Sequence, residues 1–139
     1  MLLGGIVVVN QLLSTGGPPI AWIDDDVAAA LRQAEQKDQR VFLYLYELGD
    51  PIHVRNEREV FAQLWARQPR QNTVCCRIAI AAGDVRRVKY KYDGQPLFLL
   101  LNPKGKEMAR TQGAVSQLEF ETYISRPAEE HSKQKQATP

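Results

Sequence analysis

Asp50 and His53 stand three residues apart, so on a helix their side chains share one face. A carboxylate beside an imidazole is the pairing that general acid–base chemistry uses. The carboxylate favours the imidazolium, while a helix N-terminus disfavours it. Both side chains are also metal ligands, but only Glu47 is near enough in sequence to act as a third, and a metal site needs three or four. The dipeptide Asp50-Pro51 favours a plainer role. An Asp carboxylate at the N-cap accepts from unpaired backbone N–H groups, and Pro is tolerated at the first helical position because its missing N–H has no partner there. Asp50 then caps a helix and has no reactive part. The two cysteines, Cys75 and Cys76, are adjacent, and neighbours of this kind rarely form a disulfide without strain. On a strand they face opposite sides of the sheet, which reads as two inert core thiols. A vicinal redox-sensing pair, or a thiol enzyme using one of them, is the reactive alternative. Arg86, Arg87, Lys89 and Lys91 form a basic cluster that reads as a solvated helix face, because no aromatic stacking platform is interleaved with it. His131 lies in a polar tail and takes no role.

These residues need a scaffold, and the apolar pattern supplies one. Val41–Tyr46 is an uncharged run of β-branched, aromatic and leucine residues, a strand buried on both faces. Asp24-Asp25-Asp26 precedes a helix over Val27–Asp38 with Val27, Ala30, Leu31 and Ala34 at helical spacing. After Asp50, one helix is expected from Pro51 to about Arg67, kinked near Asn56. Its buried stripe would be Val54, Val60, Phe61, Leu64 and Trp65, with a capping-box pattern at Asn56–Glu59. Thr73–Ile80 is the next strand, Val85–Tyr90 a short helix, and Leu97–Leu101 a second fully apolar strand. Asn102-Pro103-Lys104-Gly105 is a hairpin turn leading into Glu107–Thr111, and Ser116 with Glu119 caps a last helix.

The chain has 139 residues, 44% hydrophobic and 24% charged, which suits one domain with a core. Its formal net charge of +2 is too small to argue for nucleic acid or an acidic lipid surface. Residues 1–13 are apolar and uncharged, followed by Ser14–Pro19. The run is shorter than the roughly 20 residues a spanning helix needs. It reads as the hydrophobic part of a signal or anchor, which favours an extracytoplasmic location, or as a packed element, and if retained it is a site of membrane or self-association. Residues 127–139 read as a disordered polar tail.

Laid without a gap against the thioredoxin pattern, the strand Val41–Tyr46 and its turn match. Asp50 and His53 then fall where that family carries the two cysteines of its Cys-x-x-C motif. The stretch Gly94–Glu107 resembles the family's cis-proline, strand, tight turn and strand, with Pro96 at the cis-proline position. Ala109–Gly113 with Ser116–Glu119 resembles the closing strand and last helix. The resemblance runs from about Ile20 to Ser125. It implies a thioredoxin-like α/β domain over 20–126, a mixed central sheet with helices on both faces and a cis-proline loop. It also implies a groove lined by Gly49, Asp50, Pro51, Ile52, His53, Gln95 and Pro96, able to take a peptide by strand addition. The redox activity does not carry over. That chemistry needs a thiolate at the helix N-terminus and a second sulfur to resolve the mixed disulfide, and Asp50 and His53 do neither. The expectation is a non-catalytic module that binds a protein or peptide, with no cofactor, metal or nucleic acid. The alternatives are a thiol function at Cys75/Cys76 or an acid–base or metal site at Asp50/His53.

Overall fold

The computed structural model describes residues 20–62 and 73–120. Five strands, β1 (Ile23–Asp24), β2 (Arg40–Tyr46), β3 (Thr73–Ala79), β4 (Leu97–Leu101) and β5 (Glu107–Gln112), form one sheet in the order β1-β3-β2-β4-β5. β1 and β2 run parallel to β3, while β4 is antiparallel to β2 and β5 to β4. The sheet is therefore mixed, with the run that reads as doubly buried at its centre.

Alternation along β2 separates two cores. Val41, Leu43 and Leu45 join Cys76, Ile78, Leu97 and Leu99 beneath helix α1 (Val27–Lys37), which contributes Ala30 and Ala34. Phe42, Tyr44 and Tyr46 face the other way, onto Phe61, Phe98 and Phe120. One face is thus aliphatic, where the small alanines of α1 allow close approach. The other is a lattice of tilted and edge-on rings, with Phe42 and Phe120 centroids 5.1 Å apart and Tyr44 and Phe61 5.0 Å apart. Asp26 caps α1 by accepting from the Ala29 N–H at 2.9 Å, as the acidic triplet predicts.

The helix after β2 departs from expectation. Helix α2 (Pro51–Asn56) passes directly into a π-helical turn (Glu57–Phe61), and residues 63–67, with Leu64 and Trp65, lie outside the described residues. The extra residue in a π turn rotates the apolar face after it relative to the face before it. Val60 and Phe61 are buried, whereas Val54 is 49% exposed and leaves the predicted stripe. Asn56 makes no helix cap either. It is fully buried, its Nδ2 donating to the Gly113 carbonyl at 3.2 Å and its Oδ1 accepting from the Val115 N–H at 3.4 Å. At Ser116 the predicted capping box forms: Glu119 N–H donates to the Ser116 hydroxyl, and Ser116 N–H to the Glu119 carboxylate.

Candidate functional site

The turn between β2 and α2 sits at the carboxyl end of the central strand. Asp50 takes the cap role its dipeptide predicts, Oδ1 accepting from the Ile52 N–H at 2.9 Å with Pro51 in the first turn. His53 points inward. Its ring stacks on Tyr46, centroids 3.8 Å apart and planes 11° from parallel, and its Nδ1 lies 2.8 Å from the Tyr44 hydroxyl. Asn56 is a further hydrogen-bond partner of Tyr44, acting in the sense that lowers the phenol's pKa. On its other side His53 Nε2 faces Glu57 Oε1 at 3.9 Å; that oxygen is 3.5 Å from Arg77, whose Nε donates to Asp24 at 2.6 Å.

Electrostatics follow burial. Desolvation lowers the His53 pKa, opposed by Asp50 and reinforced by Arg77. Burial also drives the Tyr44 phenol far above its ordinary range and raises Glu57. Burial thus favours the neutral imidazole, and its Nδ1 is paired with the Tyr44 hydroxyl. The partners of His53 are Tyr44 and Tyr46, neither of which its spacing from Asp50 indicates. Among the described residues no three His, Cys, Asp or Glu side chains come together as a metal site.

An open cleft of about 480 Å³ lies beside the turn, lined by Glu47, Leu48, Gly49, Asp50, Ile52, Gly94 and Gln95. Of the groove residues expected from sequence, Gly49, Asp50, Ile52 and Gln95 meet here. Pro51, His53 and Pro96 do not line it, and Glu47, Leu48 and Gly94 do. Pro96 is buried, and no cis peptide occurs among the described residues, so the Gln95–Pro96 bond is trans and the cis-proline expectation is corrected. The local turn is made by other means. Asp93 Oδ1 accepts from the Gln95 N–H at 3.1 Å, Gly94 takes φ +101°, and the Pro96 carbonyl accepts from Gly113 N at 2.8 Å. With the turn supplied by Gly94, the intrinsic trans preference of about 0.5–1 kcal/mol is unopposed. The Gln95 N–H and the Pro96 carbonyl are thus both bonded within the chain.

Cys75 and Cys76 sit on opposite faces of β3, in the aromatic and aliphatic cores respectively, as strand alternation requires. Burial pushes the Cys76 thiol up to about 11, so it holds little thiolate. The basic cluster is partly neutralised. On helix α3 (Arg86–Lys89), Arg86 pairs with Asp84 and Asp25 and Arg87 with Glu47 at 3.2 Å. The Arg87–Glu47 pair is a long-range contact with no local sequence signal.

No protein-family model and no curated protein matches the sequence. Solved structures do match. A putative disulphide-isomerase from Bacteroides thetaiotaomicron superposes with a TM-score of 0.64 at 22% identity, over 80% of this chain and 94% of that one. Thioredoxin NaTrxh from Nicotiana alata gives 0.63 at 17% identity, over 80% and 96%. The DsbD C-terminal domain from Neisseria meningitidis, oxidised form, gives 0.57 at 15%, over 77% and 99%. The chain has the thioredoxin-like α/β fold.

Proposed function

We propose that this thioredoxin-like domain is a protein- or peptide-binding module without dithiol–disulfide exchange, and that its contact site is the cleft between Glu47–Ile52 and Gly94–Gln95. One observation carries the reading. The start of α2 holds a capping carboxylate and an inward-turned imidazole, while both sulfurs are buried in β3. A nucleophile for disulfide exchange must be an accessible thiolate, and neither cysteine qualifies. The cleft remains as a concave surface with a few polar groups and two apolar ones, the composition of a recognition site.

The test has two arms. In the dithiothreitol-driven insulin reduction assay the protein is expected to add nothing to the rate of the small thiol alone; catalytic turnover overturns the reading. In an amide NMR titration with extended peptides, the Gly49 and Gly94 signals are expected to move first. An extracytoplasmic location belongs to the same proposal, supported by the apolar character of residues 1–13. Sequencing the N-terminus of protein isolated from its host checks it: a start beyond residue 13 agrees with a removed leader.

A further inference from the structure

We infer that His53 is an acid-operated switch: neutral, its imidazole packs inward on Tyr44 and Tyr46, and protonated, it swings outward to the Asp50 edge of the cleft. The switch concerns the position of one side chain and does not depend on what the cleft binds.

The inward position suits a neutral ring. The His53 side chain is 12% exposed, its ring lies flat on Tyr46, and its Nδ1 is paired with the Tyr44 hydroxyl at 2.8 Å. Both tyrosines belong to β2, a strand buried along its whole length. A neutral imidazole offers one donor and one acceptor, whereas an imidazolium has two donors and needs an acceptor on each side. On the Nε2 side stands Glu57 Oε1 at 3.9 Å, beyond hydrogen-bond length, and Arg77 of β3 approaches that same oxygen at 3.5 Å. Arg77 is tied in turn to Asp24 of β1. An inward imidazolium would therefore sit largely out of water, near a guanidinium, facing a carboxylate already shared. Burial and Arg77 both work against the charged ring there, and Asp50 works for it.

The outward position comes from the helix. Residues three and four apart share a face, so Asp50 and Glu57 flank position 53 at i−3 and i+4. Asp50 lines the cleft while its Oδ1 caps α2. Rotation about the side-chain bonds of His53 carries the ring away from the tyrosines, towards solvent and this carboxylate, with the backbone of α2 in place. A solvated imidazole has the ordinary proton affinity and the inward one a lower affinity, so protonation favours the outward position. Each unit of that difference tips the balance outward tenfold. Above the ordinary imidazole value of about 6.5 the stack on Tyr46 and the bond to Tyr44 hold the ring inward; the switch operates below it. In acid the cleft then gains a positive charge beside Asp50, and the Tyr44 hydroxyl keeps Asn56 as its partner.

The experiment follows isotopically labelled full-length chain by NMR from about pH 8 to about pH 5, a range that brackets the ordinary imidazole value. Cross-relaxation between the His53 and Tyr46 ring protons is expected at the upper end and should vanish as the imidazole protonates. The Gly49 and Ile52 amides should shift with the same midpoint, and this response should be lost in His53→Phe. Asp50→Asn keeps a capping acceptor while removing charge, so it should fold normally and lower the proton affinity of His53 roughly threefold to tenfold. A residue that only capped the helix would leave that midpoint unmoved, and an unmoved midpoint overturns the outward partner and the switch with it. An imidazole that protonates while its contacts to Tyr46 persist also overturns the switch, as does one that stays neutral throughout the range.

Discussion

Asn56 offers the sharpest test of how the site is held. It lies at the junction of α2 and the π turn, fully buried, and ties that junction to Gly113 and Val115 in the loop after β5 while also bonding Tyr44. Replacing it by alanine strands a carbonyl, an N–H and one bond of a phenol. Stranding a buried polar group costs about 1–3 kcal/mol, and the long distances to Gly113 and Val115, 3.2 and 3.4 Å, place these bonds at the weak end. The three together come to about 3–4 kcal/mol. With a urea dependence of roughly 2 kcal/mol per molar for a domain of this size, the Asn56→Ala midpoint should fall by about 1.5–2 M. The Gly113 and Val115 amides should exchange faster as well. Arg55→Ala, one residue earlier and exposed, is the control and should stay within about 0.5 kcal/mol of wild type. An Asn56→Ala midpoint indistinguishable from that control refutes the claim that this amide anchors the turn.

Other expectations follow from the same geometry. The folded pKa of His53 lies below its unfolded value of about 6.5, so the native state binds fewer protons there. Its contribution is complete above that pH and is lost as pH falls towards the folded value; Glu57, raised, acts in the opposite sense from about pH 4.5 upward. Urea midpoints between pH 8 and 5 should therefore drop more for wild type than for His53→Phe, and parallel curves contradict the assignment. Phe61→Ala should cost about 3–5 kcal/mol and Val54→Ala less than about 0.5, because the π turn buries one and exposes the other; similar denaturation midpoints for the two exclude that register. Iodoacetamide at pH 8 should leave Cys75 and Cys76 unmodified until denaturant unfolds the chain, read by intact mass; rapid native labelling reopens a thiol function.

Much of the fold could be read from the sequence because its signals are local. The Val41–Tyr46 and Leu97–Leu101 runs, the acidic cap before Val27, the Asp50-Pro51 helix start and the Ser116/Glu119 capping box all act within a few residues, and each appears in the structure. The misses share a cause. Val54 looks like a core residue only if the helix keeps its α period, and the inserted π residue is set by tertiary demand on Asn56, Val60 and Phe61 together. The Pro96 carbonyl is bonded to the Gly113 N–H, a partner distant in sequence. Glu47 was visible only as a third metal ligand, since its real partner, Arg87, lies 40 residues away. Tyr44 reads simply as a core aromatic, yet its hydroxyl holds the His53 ring at 2.8 Å.

That hydroxyl also bears on why recognition suits this end of the sheet better than reaction. A general base needs an accessible nitrogen, and His53 turns inward, its Nδ1 paired with the Tyr44 hydroxyl and its ring stacked on Tyr46. A nucleophile needs access, and the sulfurs are inside. What the turn presents outward is Glu47, Leu48 and Asp50, two carboxylates around one exposed apolar side chain, mounted on a strand buried along its whole length. The network that turns His53 inward leaves these three as the outward chemistry of the turn. Tyr44→Phe would remove the partner of Nδ1 and loosen the inward hold on the imidazole, while the Asp50 cap, which rests on the Ile52 N–H, stays in place.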